Sequence, residues 1–401
     1  MPRNWQFSLP TQIEFGRGAP RRLGGAARPL GQSALLVGYR ACPALDEPFA
    51  RAAKSLRAAG LYLAEFREIE GEPDLAVVDR GADLARAAGA EVIAALGGGA
   101  VLDAAKGIAL VARCGGVMAD YVDANPDPRP AAAALPLVAV PTTAGTGSEA
   151  TNIAVVSGPS PRAGEACQKM AVAAPALQPK VALVDPELTL ACPPELTAAC
   201  GADALGHAIE ACLSRATNPI STALGCRAAG LIVAHLPRAV ARPDDLAARE
   251  ALALAATLAG AAINSSGVTL THSVAHALGA LLHVPHGAAV ALATPLNLRY
   301  NLETCVAAYA ELAAACGIGG APADRAATFV ERIAELLVAV GLPQRIALPA
   351  GDRGDWAARL AQNAFASTPT PLRLNPRPID EPALAHLIAD LKMLVEVDAD
   401  G

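Results

Sequence analysis

The segment EVIAALGGGAVLDAAKGIAL (residues 91–110) determines the fold class of this chain. A short apolar run ends in three consecutive glycines, and an Ala-rich amphipathic stretch follows directly. This order is typical of a buried strand that turns tightly into a helix. Glycines at such a turn let a phosphate approach the backbone, where the N–H groups and the positive end of the helix dipole attract an anion. Because the spaced G-x-G-x-x-G pattern is absent, a tight turn under close helix packing is the alternative.

The same alternation extends on both sides of this segment, from Ser33 to about Asp185. Further short apolar runs occur at ALLVG (34–38), PLVAVP (136–141) and VALVD (181–185), and amphipathic segments cover 43–59, 74–88 and 100–113. Strands that alternate with helical segments predict βαβ units and a parallel sheet.

After Asp185-Pro186 the strand pattern stops and helical periodicity takes over. The predicted helices cover 195–213, 217–235, 244–263, 270–282, 304–315, 323–340, 354–366 and 380–396. Gly and Pro separate them, as expected for helix boundaries. We therefore predict an α/β domain over residues 1–188 and an all-helical domain over residues 189–401.

A second polar loop, PTTAGTGSE (141–149), follows the third apolar run. Its four hydroxyl side chains and two glycines would lie at the carboxyl end of a strand, where open α/β sheets bind ligands. Taken alone, it is equally consistent with an ordinary loop. Two such loops after two strands of one sheet favour a dinucleotide.

Histidines are concentrated in one uncharged stretch of the helical half. The chain has seven, and four of them fall in the run from Ala251 to Leu298, which contains no Asp, Glu, Lys or Arg. Buried imidazoles need a polar partner, because an unsatisfied buried polar ring costs several kilocalories per mole. A metal ion would satisfy several of them at once.

The spacing of these histidines and of one aspartate suits a metal ion. Asp203 and His207 are four residues apart, and so are His272 and His276, so each pair projects from one helix face. His286 follows a Pro-bounded turn. Each pair alone could be a side-chain interaction or a cap, but together the groups predict one metal site.

The overall composition excludes several classes of partner. A net charge of −6 and the absence of a Lys/Arg-rich block argue against nucleic acid and anionic membranes. The uncharged run contains Asn, Ser, Thr, Pro and His, so it predicts core helices rather than a membrane span. The N-terminus lacks the apolar core of a signal peptide, and nine cysteines without a CxxC pair suit a reducing cytoplasm.

Several long motifs make the chain resemble the iron-containing (group III) alcohol dehydrogenases along nearly its whole length. They are PTQIEFGRGA (10–19), LGGGAVLDAAK (96–106), PTTAGTGSEAT (141–151), PKVALVDPELT (179–189), GADALGHAIEA (201–211), HSVAHALG (272–279), VPHG (284–287) and NPRP (375–378). The resemblance implies a Rossmann-like parallel-sheet domain, a C-terminal helical domain, and NAD or NADP with a divalent metal in the intervening cleft. It also implies a homo-oligomer, a dimer or larger.

The resemblance assigns roles residue by residue. Asp203, His207, His272 and His286 correspond to the metal ligands, and His276 to a histidine that relays a proton near the nicotinamide. The cofactor residues are assigned as Gly98 and Gly99 at the pyrophosphate, Thr142, Thr143 and Thr146 at the adenosine and nicotinamide halves, and Lys169 near the ribose.

The chain departs from the family at four positions. Ala100 replaces the Ser that usually follows the glycines, and Tyr39 with Arg40 stands where many NAD-preferring members carry an acidic residue. Ile263 replaces a large aromatic residue near the substrate, and Thr269 replaces a frequent Gly. We expect these changes to affect substrate choice, and Tyr39 and Arg40 to permit NADP.

The predicted activity is metal-dependent, NAD(P)-linked interconversion of a small alcohol with its aldehyde or ketone by hydride transfer. Four protein ligands plus substrate need at least five coordination positions, which favours Fe²⁺, with Zn²⁺ and Mn²⁺ as alternatives. The competing hypotheses are a polyol enzyme similar to glycerol dehydrogenase, a lyase similar to dehydroquinate synthase, and a non-catalytic metal-binding scaffold. The lyase needs a basic substrate pocket, which the uncharged run does not provide.

Overall fold

The computed structural model describes residues 4–159, 167–347, 356–391 and 393–394. These residues form two compact units, Ser8–Cys192 and Pro193–Gly401 with Met1–Phe7. The first contains the parallel sheet and the second is built of helices, which confirms the predicted fold class.

The described residues of the α/β unit form eight strands and four α-helices. The strands are β1 (Gln12–Phe15), β2 (Ser33–Tyr39), β3 (Tyr62–Ile69), β4 (Val92–Gly97), β5 (Leu137–Pro141), β6 (Ile153–Pro159), β7 (Cys167–Ala173) and β8 (Val181–Val184). The helices are α1 (Ala19–Ala27), α2 (Pro43–Ala58), α3 (Leu75–Ala87) and α4 (Gly99–Cys114).

Six strands form one parallel sheet in the order β1-β8-β5-β4-β2-β3, and β6 and β7 form a separate antiparallel hairpin. All four predicted strands are present. The sequence patterns missed β1 and β3 because both strands are partly exposed and carry charged side chains between apolar ones. They form the two edges of the sheet.

Alternation of side chains places a separate apolar core on each face of this sheet. Leu35, Ile93 and Ala139 belong to one core and Leu36, Ala94 and Val138 to the other, and all six are buried. Strands buried on both faces are near-continuous apolar runs, which is why four of them were recognisable from sequence.

The strand order reverses between β2 and β4. From β2 the chain continues to β3 on one side and returns through α3 to β4 on the other side. In open α/β sheets, ligands bind outside the carboxyl ends of the strands at such a reversal. Tyr39 ends β2, and Gly98 and Gly99 directly follow β4, so these three predicted cofactor residues lie at this position.

Ten α-helices are present in the part of the helical unit that the structure describes. They are α5 (Pro194–Leu213), α6 (Pro219–Ala241), α7 (Leu246–Ser266), α8 (Leu270–Leu282), α9 (His286–Asn301), α10 (Val306–Ala315), α11 (Pro322–Ala339), α12 (Trp356–Ser367), α13 (Pro369–Leu374) and α14 (Glu381–Ala389). Two-residue strands, β9 (Ile346–Ala347) and β10 (Met393–Leu394), also pair in parallel, contrary to the expectation that strands end at Asp185.

Most of the helix boundaries agree with the sequence prediction to within a few residues. The helix predicted over 380–396 ends at Ala389, and residues 354–355 and 395–396 of the predicted helices lie outside the described part of the chain. Helix α9 was not predicted, because Pro285 and Pro295 interrupt its sequence. Pro285 is the N-cap, and Pro295 is accommodated inside the helix.

Helices α6 and α7 are long and apolar enough to span a membrane by length and composition alone. Within the helical unit they pack on each other and on α5, and 67% of the apolar window of α7 is buried. The core helices of soluble proteins meet the same criterion of length and composition.

Candidate metal and dinucleotide sites

Helix α5 carries the first two predicted ligands. Asp203 and His207 lie one turn apart in its middle, and both are buried. Only Glu195, Asp203 and Glu210 are charged among its residues, so these carboxylates lie in an otherwise apolar helix.

His272 and His286 come from the two following elements. His272 lies in the first turn of α8, and His286 is the first residue of α9. Between the two helices His283 adopts a left-handed conformation (φ 53°), which reverses the chain before Pro285. A Cβ on Gly287 would lie 2.4 Å from the carbonyl oxygen of Ala199, so the glycine allows α9 to begin directly against α5.

The three imidazole Nε2 atoms converge on Asp203. Their distances to Asp203 Oδ1 are 3.3 Å for His286, 3.4 Å for His272 and 3.8 Å for His207. Two ligand atoms that share a metal at about 2.1 Å lie about 3.0–3.4 Å apart at angles between 90° and 109°. Donor atoms of Asp203, His207 and His272 all lie within 4.8 Å of one another, and the rings of His207 and His272 stack at 4.4 Å. The arrangement therefore fits one divalent cation.

The electrostatics of the cluster favour a cation. Burial raises the pKa of Asp203, but His207, His286 and His272 together lower it well below its usual value. Burial lowers the pKa of His207 to about 4, so this imidazole is neutral near pH 7. Ionised carboxylate and neutral imidazole are the protonation states that coordinate a metal.

Glu210 is a member of this cluster that the sequence analysis missed. It lies on α5 one turn beyond His207, is fully buried, and its Oε2 contacts Nδ1 of His272. Burial disfavours both the carboxylate form of Glu210 and the imidazolium form of His272. Their mutual attraction nonetheless lowers the pKa of Glu210 and raises that of His272 to about 10. The signal was available, since positions 203, 207 and 210 share one helix face.

His276 lies beside the ligand cluster rather than within it. Its ring centroid is 5.6 Å from that of His286 and 6.5 Å from that of His272, and its side chain is half-buried. It is one turn beyond His272 on α8. This position suits a group that exchanges a proton near the metal.

The two predicted cofactor loops are in contact with each other. A Cβ on Gly98 would lie 2.9 Å from the hydroxyl of Tyr39 and 3.0 Å from Cγ2 of Thr143, and one on Gly99 would lie 2.5 Å from Cγ2 of Thr146. Gly98 has an extended backbone, so close approach and not a positive φ requires glycine there. Thr142 follows β5 and donates its N–H to Gly97.

The remaining predicted cofactor residues are engaged by carboxylates. Arg40 Nη1 lies 3.1 Å from Glu70 Oε1, with both side chains about half exposed. Lys169 lies on β7 of the hairpin, is largely buried, and contacts Glu72. The structure therefore brings Tyr39, the glycines and the threonines together, and places Lys169 on neither of the two loops.

The structure shows the surroundings of three of the positions at which the sequence departs from the family motifs. Ala100 lies in the first turn of α4, where it offers no hydroxyl. Ile263 packs in a small apolar cluster with Ala211 and Ala262. Thr269 is fully buried and its hydroxyl donates to Glu210, so it faces the ligand network.

Two family models together match almost the whole chain. "Iron-containing alcohol dehydrogenase" covers residues 10–186, and "Fe-containing alcohol dehydrogenase family, C-terminal" covers residues 197–391. Each falls within one of the two structural units.

Named relatives and solved structures agree with these matches. The NAD-dependent methanol dehydrogenase of Bacillus methanolicus is 35% identical over 95% of this chain and 98% of its own length. A 1-propanol dehydrogenase of Salmonella typhimurium is 36% identical over 81% of this chain and 84% of its own. A crystal structure of a 1,3-propanediol oxidoreductase superposes with a TM-score of 0.86 at 32% identity, covering 97% of this chain and 100% of that one.

These matches agree with the parallel sheet and the helical unit. All three relatives act on alcohols according to their names. The chain belongs to the iron-containing alcohol dehydrogenase family.

Proposed function

We propose that this chain is a metal-dependent, NAD(P)-linked oxidoreductase that interconverts a small alcohol and its aldehyde or ketone by hydride transfer. The observation that carries the proposal is the convergence of three imidazole Nε2 atoms on Asp203 Oδ1, between 3.3 and 3.8 Å, inside the helical unit. In a chain of this family, such a cluster supports a catalytic metal rather than a structural one.

Asp203, His207, His272 and His286 would hold the metal. With four protein ligands, substrate binding requires a fifth position, which favours Fe²⁺ and leaves Zn²⁺ and Mn²⁺ as alternatives. His286 is the most exposed of the four side chains, at 27%, whereas the other three are nearly closed to solvent. We infer that substrate approaches from the side of His286.

When bound, the metal supplies a Lewis acid for the substrate oxygen, and the nicotinamide supplies or accepts the hydride. His276 would move the proton that accompanies hydride transfer, because its ring lies next to His286 and imidazole titrates near neutrality. The apolar surroundings of α8, with Val274, Ala275 and Leu278 fully buried, would exclude bulk water from the ligands.

The α/β unit would bind the dinucleotide. Gly98 and Gly99 present backbone at the N-terminus of α4, which suits the pyrophosphate, and Thr142, Thr143 and Thr146 offer hydroxyls beside it. Tyr39 and Arg40 would lie at the adenosine ribose, and Lys169 would lie near the ribose region of the cofactor. One relative is NAD-dependent by name, and NAD or NADP would serve this chain.

Relatives named for methanol, 1-propanol and 1,3-propanediol indicate that the substrate is a small primary alcohol. We further propose a cytoplasmic homo-oligomer, a dimer or larger, with the dinucleotide-binding domain over residues 1–188 and the metal-binding domain over residues 189–401.

The decisive experiment follows NAD(P)H absorbance with butanal and with a series of primary alcohols, using protein loaded with Fe²⁺ and protein treated with chelator. We expect turnover only in the loaded protein, and its loss in Asp203→Asn. Turnover that survives both treatments would refute a catalytic metal. Phosphate release from a phosphorylated sugar acid, without any change in NAD(P)H absorbance, would instead favour a lyase.

A further inference from the structure

The fully buried Glu210 is at the centre of a hydrogen-bond network that reaches one of the proposed ligands. Its Oε2 contacts Nδ1 of His272, and its Oε1 accepts from the Thr269 hydroxyl and from the backbone N–H of Thr271, each at 2.8 Å. The Asn297 amide also donates to Oε1, at 3.4 Å. This carboxylate thus joins α5, the start of α8, and α9.

The network continues to the NPRP motif, which had no role in the site described above. Asn301 donates to the side chain of Asn297 and to Oδ1 of Asn375, the latter at 3.0 Å, and Asn375 donates back to Asn301 at 3.1 Å. All three asparagines are at most 1% exposed. Asn301 donates to the amide oxygen of Asn297, which orients the Asn297 NH₂ group toward Glu210.

The two oxygens of Glu210 have different hydrogen-bond partners, and this difference determines which ring nitrogen of His272 carries the proton. The donors from Thr269, Thr271 and Asn297 all meet Oε1, which must therefore be an acceptor. An ionised carboxylate can only accept, so the other oxygen, Oε2, accepts from Nδ1–H of His272. When the imidazole carries its proton on Nδ1, the lone pair of Nε2 is directed at Asp203 Oδ1, 3.4 Å away.

We propose that Glu210 is a positioning residue that holds the His272 proton on Nδ1 and so leaves Nε2 to the metal, and that the hydroxyl of Thr269 reinforces this arrangement in this chain. The proposal rests on the metal site described under the proposed function. Thr269 then acts on the ligand and not on the substrate.

Glu210→Gln tests the proposal with an almost isosteric change. The three donors fix the amide oxygen of Gln at the Oε1 position, so its NH₂ group faces His272 and donates to Nδ1. The ring must then carry its proton on Nε2, where it blocks the metal. Titration of metal-depleted protein with Co²⁺ in competition with a chelator should show affinity reduced by roughly 10- to 100-fold, the usual scale for such partners.

The NMR signals of the His272 ring provide a measurement that would not change if Glu210 only stabilised the fold. In ¹⁵N-labelled protein loaded with diamagnetic Zn²⁺, Nδ1–H of His272 should show the deshielded resonance of a proton bonded to a carboxylate in the parent, and this deshielding should be lost in Glu210→Gln. The Co²⁺ absorption spectrum of the variant should also change at saturation, because the ligand geometry changes. Equal affinity together with an unchanged Nδ1–H resonance would overturn the proposal.

Variants of Thr269 keep the test decisive if Glu210→Gln does not fold. Thr269→Val keeps the shape but removes the hydroxyl, and we expect about 3- to 10-fold weaker Co²⁺ binding, whereas Thr269→Ser should restore it. Thr294→Val is the matched control, because Thr294 is a buried threonine on α9 whose hydroxyl donates to the carbonyl of Val290. Its Co²⁺ affinity should equal that of the parent. Equal affinity of Thr269→Val, Thr269→Ser and the parent would contradict the proposal.

Co²⁺ binding by the parent protein distinguishes failure of the proposed function from failure of the positioning role of Glu210. If it does not bind Co²⁺ at the cluster, with Asp203→Asn as the comparison, the proposed function fails. If it binds Co²⁺ and Glu210→Gln binds it equally well, only the positioning role of Glu210 fails.

Discussion

At the residue scale, His272 lies between the two buried carboxylates of the helical unit. Asp203 lies on its Nε2 side and Glu210 on its Nδ1 side, and the ring is only 3% exposed. His272→Ala should therefore lower metal content and turnover together, while dinucleotide binding by the α/β unit is retained. Metal analysis, kinetics and nucleotide titration measure the three quantities.

His386→Ala is the control for this substitution. His386 lies in the last turn of α14 and is exposed, so its loss should change neither metal content nor turnover. A His272→Ala protein with full metal occupancy and normal turnover would show that His272 is not a ligand.

His276 should respond differently, because its ring lies beside the ligands at 5.6 Å from His286. We expect His276→Ala to retain its metal and to lose about 10²-fold or more in kcat, the usual scale for removing an acid–base group. The pH dependence of kcat should also flatten near neutrality. A loss of metal equal to that in His272→Ala would instead identify His276 as a ligand.

The sequence indicated the ligand set but not the residue that orients it. Asp203, His207, His272 and His286 were recognisable because histidines in uncharged sequence need partners and because the motifs match a family. Glu210 shares a helix face with Asp203 and His207, but one further carboxylate in a helix is usually solvated, so this spacing alone did not identify it. Its role depends on α8 and α9 folding back onto α5, which no local pattern specifies.

At the element scale, the ends of β2 and β3 bring together the residues that should decide between NAD and NADP. Tyr39 cannot repel a 2′-phosphate, and Arg40 could pair with one, although Glu70 already offsets part of its charge at 3.1 Å. We expect NADP(H) to be used at least as well as NAD(H). Tyr39→Asp should shift preference toward NAD(H) by about 1–3 kcal/mol.

Glu70→Gln is the complementary variant, because it releases Arg40 from its partner. The ratio of kcat/KM for NADP(H) over NAD(H) should rise in Glu70→Gln and fall in Tyr39→Asp. A strong preference of the parent for NAD(H), or a ratio that neither substitution changes, would exclude these residues from cofactor selection.

A second element-scale contact joins α4 to the threonine-rich loop. Lys106 is fully buried and its Nζ donates to Ser148 Oγ at 2.7 Å, Thr151 Oγ1 at 3.0 Å and the carbonyl of Ile153 at 2.7 Å. We expect Lys106→Met to loosen this loop and weaken NAD(P) binding, measured by fluorescence titration, with metal content unchanged.

Lys106 also predicts a dependence of stability on pH. Burial lowers its pKa from 10.5 to about 8, so between these values the unfolded chain binds a proton that the folded chain does not. The free energy of unfolding of the parent, relative to Lys106→Met, should therefore rise from pH 8 to pH 10.5, by up to about 3 kcal/mol. Denaturant titrations of both proteins across this range measure it; a constant or falling difference would show that burial does not lower the pKa of Lys106.

Elements that are buried on both sides were predictable, and those at edges or interrupted by proline were not. The central strands β4 and β5 consist of continuous apolar residues, whereas β3 has charged residues along an exposed edge. Helix α9 has almost no hydrophobic periodicity because it is buried on several sides, and Pro295 adds a misleading boundary. Helical periodicity reports amphipathicity, so it fails for a helix that is buried on several sides, and strand patterns fail where charged and apolar residues are mixed along an exposed edge.

At the scale of the whole molecule, the proposed dinucleotide-binding loops and the proposed metal ligands lie in separate structural units. The glycine and threonine loops lie in Ser8–Cys192, and the histidine cluster lies in the helical unit that begins at Pro193. The family models divide the chain at nearly the same place, with a gap between residues 186 and 197. Each unit has its own apolar cores, so each should respond to its own ligand.

Thermal shifts test this separation. A ligand that binds only the folded state at 100 times its Kd stabilises it by about 2.7 kcal/mol. Divalent metal and NAD(P) should each raise the unfolding temperature of the parent. Asp203→Asn should abolish the shift caused by metal, because three imidazoles lose the carboxylate on which they converge, and should keep the shift caused by NAD(P). Lys106→Met should reduce the shift caused by NAD(P) and keep the shift caused by metal. If Asp203→Asn abolished both shifts, the two sites could not be energetically separate, and the assignment of one ligand to each unit would be wrong.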